Sequence, residues 1–291
     1  MKILRPVSCL LTLLFVSTQM AVAQSLEVYR IYDVQGKERS FEQMIESLAT
    51  ADVVLFGELH DHALIHWLQL KATESLAEKR PLVLGGEMFE CDQQVILDEY
   101  MKGLLNDKMF EDQARLWPNY KTDYKSLLLF AKEKKLRFVA SNVPRRYASL
   151  VSRVGLDSLE QLPAASRVFL PRLPIAFDPE APGYPEMIQM MGGHGHGFNP
   201  MHFVQAQALK DACMAEHIID SRGDNELLLH FNGDYHSANR GGIYWYLKAA
   251  EPGLKTQVIK VFSDTDFNFQ EEWRDSGDFI LVVPEDFTRT H

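Results

Sequence analysis

The sequence predicts an α/β protein, a mostly parallel sheet flanked by helices, with a small helical lobe inserted before the last strands. Continuous apolar runs such as Val53–Phe56 suit strands of a parallel sheet that is covered on both faces. Amphipathic segments alternate with these runs, as in a doubly wound sheet with right-handed crossovers. The alternation stops between residues 153 and 220, where prolines and methionines replace strand patterns, and then resumes.

Each element follows from hydrophobic spacing. Phe41, Met44, Ile45 and Leu48 recur at helical intervals, whereas the strand segments are short and almost wholly apolar. The predicted strands are Asp52–Phe56, Pro81–Gly86, Leu136–Ala140, Glu226–Phe231, Lys255–Phe262 and Asp278–Val283. The predicted helices are Phe41–Ala51, His62–Lys79, Gln93–Leu105, Tyr124–Lys134, a long helix from about Met201, and Gly242–Ala250.

The N-terminus predicts export. Lys2 and Arg5 precede a short apolar run, and Ala21–Ala23 forms an A-x-A cleavage site, so residues 1–23 have the pattern of a signal peptide. The destination is most simply a bacterial periplasm. Cys9 lies inside the apolar run without the small residues that a lipid-anchored cysteine needs, so the N-terminus is not that of a lipoprotein. The mature chain divides into an α/β domain, 24–152 and 221–291, and the inserted helical lobe, 153–220.

Composition narrows the possible functions. The formal net charge is −10 and no basic stripe is present, which disfavours nucleic acid and anionic membranes as partners. Walker, Gly-x-Gly-x-x-Gly and Gly-x-Ser-x-Gly motifs are missing from the sequence, so nucleotide binding and serine-hydrolase chemistry have no support. Cys91 and Cys213 remain after cleavage and are compatible with either one disulfide or two buried thiols.

A Gly-x-x-His motif occurs twice, each time after an apolar strand. The first copy runs from Gly57 to His60 and contains Glu58, and the second runs from Gly233 to His236 and contains Asp234. Ligands bind outside the carboxyl ends of strands in open α/β sheets, so the two copies are predicted to share one polar site. The alternative is structural, with each histidine capping a helix or bonding a nearby carbonyl.

Two further strand ends add polar groups to the same edge of the predicted sheet. Glu87 follows one strand, and Asn142 and Arg145 follow another. Buried charges at this density are costly unless they pair or bind something, which favours a functional cluster over a purely structural one.

Two other groups of histidines are candidate ligands. His62 and His66 lie one helical turn apart, where a metal pair or ordinary helix-surface histidines are the alternatives. His194 and His196 stand among glycines in a Met-rich stretch, and thioether and imidazole ligands suit haem iron or copper. A loop whose methionines contact the sheet domain explains the same stretch equally well.

The motifs together resemble the ChaN family of bacterial iron-regulated, haem-binding proteins. The matching segments are Gly57–Asp61, Glu87–Phe89, Asn142–Arg145, Gln205–Asp211 with Met214–Ala215, and Gly233–His236. The resemblance implies haem binding in iron acquisition, with haem bound by dimers through tyrosine. Tyr184 and Tyr235 are the candidate tyrosines here, and an outer-membrane haem receptor and a second copy of the chain are the implied partners. ChaN proteins are often lipoproteins, and this chain departs from that pattern.

The wider group that includes TIKI, TraB and erythromycin esterase implies an alternative, a hydrolase that uses a divalent metal or a general base. Carried over by motif, His60, Glu87 and His236 form that site and Glu58 assists. Asn142 and Arg145 are its further candidates, and His60 and His236 are its metal ligands.

Overall fold

An eight-stranded sheet with helices on both faces forms the centre of the protein. The computed structural model describes residues 27–191 and 199–291. The strands are β1 (Arg30–Asp33), β2 (Glu38–Arg39), β3 (Val53–Glu58), β4 (Leu82–Glu90), β5 (Arg137–Asn142), β6 (Leu227–Gly233), β7 (Thr256–Ser263) and β8 (Phe279–Val283). Their order across the sheet is β2-β1-β8-β7-β3-β6-β4-β5.

Strands β3 to β8 all pair in parallel, whereas β1 pairs antiparallel with both β8 and β2. Strand β6, from the C-terminal half of the chain, lies between β3 and β4, which come from the N-terminal half. In the β3–β6 register Gly57 faces Asn232 and Glu58 faces Gly233. The two strands that carry Gly-x-x-His are therefore neighbours and end at the same edge.

The helices are α1 (Phe41–Leu48), α2 (Ala63–Ala77), α3 (Gln94–Met101), α4 (Asp107–Gln113), α5 (Lys125–Lys134), α6 (Arg145–Val154), α7 (Ala164–Arg167), α8 (Tyr184–Met191), α9 (Pro200–Ser221) and α10 (Gly242–Ala250). Local sequence sets several of their starts. Ser40 and Gln43 form a reciprocal capping box at α1, and Asn106 and Asn199 cap α4 and α9.

The two faces of the sheet have separate cores. Helices α1 to α5 cover one face, where Ile65, Leu68 and Leu76 of α2 belong to the largest apolar cluster. Helices α9 and α10 cover the other face, where Met214 and Ile218 contact residues of the sheet core. Burial on both faces accounts for the unbroken apolar sequence of β3 and β6.

The predicted fold class is confirmed, with differences at the edges of elements. Strands β3, β4 and β6 continue beyond the last apolar residue, so Glu58, Glu87 and Gly233 still belong to strands. The sequence did not predict β1 and β2. The second half of α9 lies against the sheet, although its sequence falls within the predicted lobe. Residues 1–23, with their predicted export signal, and His194 and His196 lie outside the described residues.

No helix within residues 27–191 and 199–291 is both long and apolar enough to cross a membrane.

Candidate functional site

A polar cleft of about 700 Å³ opens at the carboxyl ends of β3, β6 and β4. That volume lies within the range of roughly 300–1,000 Å³ that is common for ligand pockets. Its lining includes residues of both Gly-x-x-His copies, Glu87 from β4, and Gln207 and Lys210 from α9. The C-terminal segment adds Arg289 and His291. The structure thus brings the two copies together at one site.

The first copy forms a carboxylate–imidazole pair at the cleft surface. His60 Nδ1 lies 2.9 Å from Glu58 Oε1, and the His60 side chain is 43% exposed. The buried Glu58 also accepts hydrogen bonds from Tyr124, at 2.6 Å, and from Gln69, at 2.7 Å. Burial alone would raise the pKa of Glu58, but the His66 and His60 imidazoles and the hydrogen bonds outweigh it and lower that pKa.

The exposed histidine is held with a defined orientation. With Glu58 ionised, His60 Nδ1 donates to it, which leaves Nε2 on the cleft side, close to Gly233. Burial opposes the charged form of His60, but the Glu58 hydrogen bond and the charge of Glu87 outweigh it and raise the pKa of His60. Neutral His60 therefore has an Nε2 lone pair that can take a proton or bind a metal.

The second copy places its histidine between two buried carboxylates. His236 Nδ1 lies 2.5 Å from Asp211 Oδ1 on α9, and Nε2 lies 3.3 Å from Glu87 Oε1. Burial would lower the pKa of His236, but the charges of Glu87 and Asp211 raise it to about 10. The ring is thus an imidazolium at neutral pH and donates through both nitrogens. In this state it has no lone pair for a metal or for general-base catalysis.

Glu87 is the central anion of the cleft. Besides His236, its Oε2 accepts the backbone N–H of Gly233 at 2.7 Å. Burial raises the pKa of Glu87, but His236, Lys210 and His60 outweigh this and keep it well below its usual range. Glu87 therefore remains ionised and joins β4 to β6.

The remaining strand-end candidates have different positions. Asn142 is buried behind Glu87, where its Nδ2 donates to the Glu87 carbonyl at 3.0 Å. Its Oδ1 has no hydrogen-bond partner among the described residues. Arg145 is exposed at the start of α6 and is not one of the residues of the described chain that line the cleft.

The two motif glycines serve close packing. A Cβ on Gly57 would lie 2.7 Å from Asp234 Oδ1 and 2.9 Å from the Ile259 carbonyl oxygen. A Cβ on Gly233 would lie 2.7 Å from the His60 ring. Asp234 itself pairs with Lys260 and accepts the Val261 N–H at 3.0 Å, so its carboxylate fixes β6 to β7.

The candidate haem ligands differ in access. Tyr184 is buried, and its hydroxyl donates to Asp211 Oδ2 at 2.9 Å, so it is engaged behind His236 rather than in the cleft. Tyr235 lines the cleft and is 66% exposed. Of the two tyrosines, only Tyr235 presents its phenol to a ligand. His194 and His196 fall within 192–198, outside the described residues.

A metal centre has no preassembled ligand set in the described ranges. No group of three or more His, Cys, Asp or Glu side chains there could hold a metal ion. His62 and His66 do not form a pair: His62 Nε2 bonds the Pro284 carbonyl at 3.1 Å, and His66 Nε2 bonds the His60 carbonyl at 3.0 Å. Both imidazoles are buried and have structural partners.

Several site residues were not predicted from the sequence. Asp211, Lys210 and Gln207 lie on α9, and Tyr124 and Gln69 support Glu58 from behind. The available signal was the segment Gln205–Asp211, which contains all three α9 residues and carries part of the family resemblance. Arg289 and His291 gave no comparable signal.

The fold and cleft define a class: an α/β protein with two histidine-bearing strand ends and a buried carboxylate between them. Residues 44–247 match the family described as haem-binding uptake, Tiki superfamily, ChaN. The match covers more than half of the chain, so the protein belongs to this family. A comparison with curated proteins finds no match.

Among solved structures, ChaN of Campylobacter jejuni shows the same fold, and two others have lower similarity. ChaN of Campylobacter jejuni, described with cofacial haem binding, is 20% identical with a TM-score of 0.67, and the match covers 88% of this chain and 97% of that one. A mutant of the erythromycin esterase EreC in its open conformation is 15% identical with a TM-score of 0.46, and 89% and 83% of the chains are covered. A Bacillus cereus protein is 10% identical with a TM-score of 0.49, covering 84% and 92%.

Proposed function

We propose that this chain is an exported haem-binding protein of iron acquisition, and that haem binds at the cleft between the two Gly-x-x-His copies. Membership of the haem-binding ChaN family over residues 44–247 carries the proposal. Three side chains that line the cleft, Tyr235, Lys210 and Arg289, support it.

The donor set fits haem. Tyr235 offers an exposed phenol, and a phenolate oxygen is a known axial ligand for haem iron. Lys210 and Arg289 line the same cleft and would provide positive charge for the two propionates, Arg289 from its ion pair with Asp61 at 3.0 Å. Haem bound here would supply an iron centre as cargo, and these side chains would hold the ring and its carboxylates.

The N-terminal sequence and the family support the proposed cellular role. A signal peptide over residues 1–23 would deliver the mature chain, beginning at Gln24, to the periplasm. There it would exchange haem with an outer-membrane haem receptor, and a second copy of the chain would complete the haem site as a homodimer.

Titration of the mature protein with haemin tests binding directly. We expect a saturable shift of the Soret band at micromolar protein. Tyr235→Phe should weaken the affinity at least about tenfold, which corresponds to about 1.4 kcal/mol, because the oxygen ligand is lost. No shift in the wild type would refute haem binding.

Tyr184→Phe is the matched control for the tyrosine substitution. It removes a buried hydrogen bond to Asp211, so it should lower stability by about 1 kcal/mol without changing the Soret spectrum. A His194→Ala/His196→Ala variant tests the Met-rich stretch in the same titration, and unchanged affinity would show that neither histidine ligates iron.

A general-base hydrolase is the second candidate, and the Glu58–His60 pair is the observation that favours it. A carboxylate that orients an imidazole towards a cleft is an arrangement that activates water. His236 would act by its fixed positive charge, since it is protonated between Glu87 and Asp211. A metal-dependent version would use His60 and would need ligands from the substrate or from rearranged side chains.

Hydrolysis of activated esters distinguishes a general-base hydrolase from a metal-dependent one. If His60 is a general base, His60→Ala should lower the rate of ester hydrolysis at least about a hundredfold. Addition of a chelator should leave the wild-type rate unchanged. Metal analysis of the wild type and of a His60→Ala/His236→Ala variant tests the metal version, and equal, negligible contents of zinc, manganese and cobalt would contradict a tightly bound ion.

A further inference from the structure

The two cysteines of the mature chain come together away from the cleft. Cys91 directly follows β4, and Cys213 lies in the middle of α9. Both are buried, at 9% and 0% exposure, within one apolar cluster that also contains Val143 and Leu209. The two side chains interact and are not joined in a disulfide, and the Cys91 thiol donates to the Phe169 carbonyl oxygen at 3.5 Å.

An imidazole completes the group. His217 lies one helical turn after Cys213, with its Nδ1 2.8 Å from the Cys213 carbonyl oxygen and 3.7 Å from the Cys213 Sγ. It also interacts with the Cys91 side chain. An imidazole therefore lies beside two sulfurs that share one buried cluster.

The two thiols are chemically unequal. Hydrogen bonding with Cys213, opposed by burial and assisted by His217, lowers the pKa of Cys91 to about 6. The Cys91 neighbour and burial raise the pKa of Cys213. A low-pKa cysteine beside a second thiol is the arrangement of an attacking and a resolving cysteine in thiol–disulfide chemistry.

We propose that Cys91, Cys213 and His217 form a redox-active dithiol site, which a small disulfide oxidant such as oxidised glutathione closes to an intramolecular disulfide. The Cys91 thiolate attacks one sulfur of the oxidant, forms a mixed disulfide and expels one glutathione thiolate. The expelled glutathione thiolate takes the Cys213 proton, and the resulting Cys213 thiolate attacks the Cys91 sulfur and expels the second glutathione. Two protein thiols are oxidised, one disulfide is reduced, and the two protons released end on the two glutathione thiols.

The disulfide between Cys91 and Cys213 would link two elements that position residues of the cleft. Cys91 lies four residues after Glu87, and Cys213 lies two residues after Asp211, so the bond would tie the strand and the helix that hold His236. A crosslink over so long a loop restricts the unfolded chain strongly. The proposal is independent of haem binding, because none of its three residues lines the cleft in the described part of the chain.

The test uses the mature chain from Gln24, which contains only these two cysteines. The reduced protein is incubated with oxidised glutathione, then denatured, and free thiols are counted with a thiol reagent alongside the intact mass. We expect both thiols to disappear with a mass lower by two hydrogen atoms. Two retained thiols, or a stable glutathione adduct as the only product, would overturn the proposal.

Three variants serve as controls for the same reaction. Cys91→Ala and Cys213→Ala each contain one thiol and should yield at most a glutathione adduct, never the intramolecular product. His217→Gln should slow closure about tenfold, since the attacking Cys91 thiolate loses the imidazole that helps to lower its pKa. An unchanged rate would overturn the role of His217.

Thermal unfolding gives a second measurement that needs no variant. Oxidised wild type should unfold roughly 5 °C or more above the reduced protein, with the difference abolished by added reductant. Identical midpoints for the two forms would contradict closure of the long loop.

Discussion

The two Gly-x-x-His copies are nearly the same in sequence and lie on adjacent strands, but their side chains have different environments. In the first copy, the motif carboxylate Glu58 binds the motif histidine His60, which remains partly exposed. In the second, Asp234 turns away to Lys260, and His236 is buried against carboxylates from α9 and β4. The repeated spacing thus fixes the backbone of two strand ends, while distant residues decide what each histidine does.

The difference assigns separate tasks to the two imidazoles. His60 is accessible and can exchange a proton or contact a ligand. His236 is a fixed buried cation that neutralises Glu87 and Asp211. Three changes test this contrast, and they are ordered below by the size of the expected effect.

Raising the pH should weaken the fold mainly through the second copy. The folded-state pKa of His236 is raised to about 10 from an unfolded value near 6.5. Its stabilisation is therefore complete below about pH 6.5 and is lost as the pH rises through 10. At about 1.4 kcal/mol per unit, the free energy of unfolding should fall by about 4 kcal/mol between pH 7 and 10.

Urea unfolding at several pH values measures this slope. His236→Gln should remove most of the decrease in the free energy of unfolding with pH. His60→Gln should keep most of that decrease, because His60 is partly exposed. If the free energy of unfolding depended on pH equally in both variants, the two motif copies would be electrostatically equivalent, which would contradict the structure.

Removing the charge partner from α9 should have the next largest effect. Asp211→Ala leaves the buried His236 imidazolium with one carboxylate and the Tyr184 hydroxyl without its acceptor. We expect a loss of about 3 kcal/mol in the free energy of unfolding. Asp211→Asn, which retains an acceptor for Tyr184, separates the charge from the hydrogen bond. A cost below about 1 kcal/mol for Asp211→Ala would mean that Asp211 does not hold the cation.

The two glycines should differ in their tolerance of a methyl group. In Gly57→Ala the new Cβ meets a backbone carbonyl oxygen at Ile259 and the fixed carboxylate of Asp234, so a loss of about 1–3 kcal/mol is expected. In Gly233→Ala it meets the ring of the partly exposed His60, which can move, so the cost should stay below about 1 kcal/mol. Thermal unfolding of both variants measures the difference, and the reverse order would contradict a fixed Asp234 and a movable His60.

The sequence was sufficient for the elements whose signals are local. The apolar runs of β3 and β6 and the amphipathic spacing of α1 predicted their type, because burial on both faces or on one face leaves a direct pattern. Strands β1 and β2 were missed since both are short. Strand β1 is defined by antiparallel pairing with β8, which is distant in sequence, and β2 pairs only with β1 in the described sheet.

The same distinction applies to the site. Glu58, His60, Glu87 and His236 come just after the predicted apolar runs and were predicted from that position, although Glu58 and Glu87 themselves belong to β3 and β4. Asp211 determines the state of His236 but reaches it across the sheet edge from another helix, and no local pattern encodes that contact. Arg145 follows its strand in the expected way but is the first residue of α6 and faces solvent.

The position of β6 between β3 and β4 also has a consequence for how the protein acquires its site. Parallel pairing of segments so far apart in the chain gives a high contact order, which slows folding. During synthesis the N-terminal half would have β3 and β4 without the strand that separates them, and both edges would lack their neighbour. The cleft can form only when β6 inserts, so we expect a chain truncated before β6 to be unable to bind ligand.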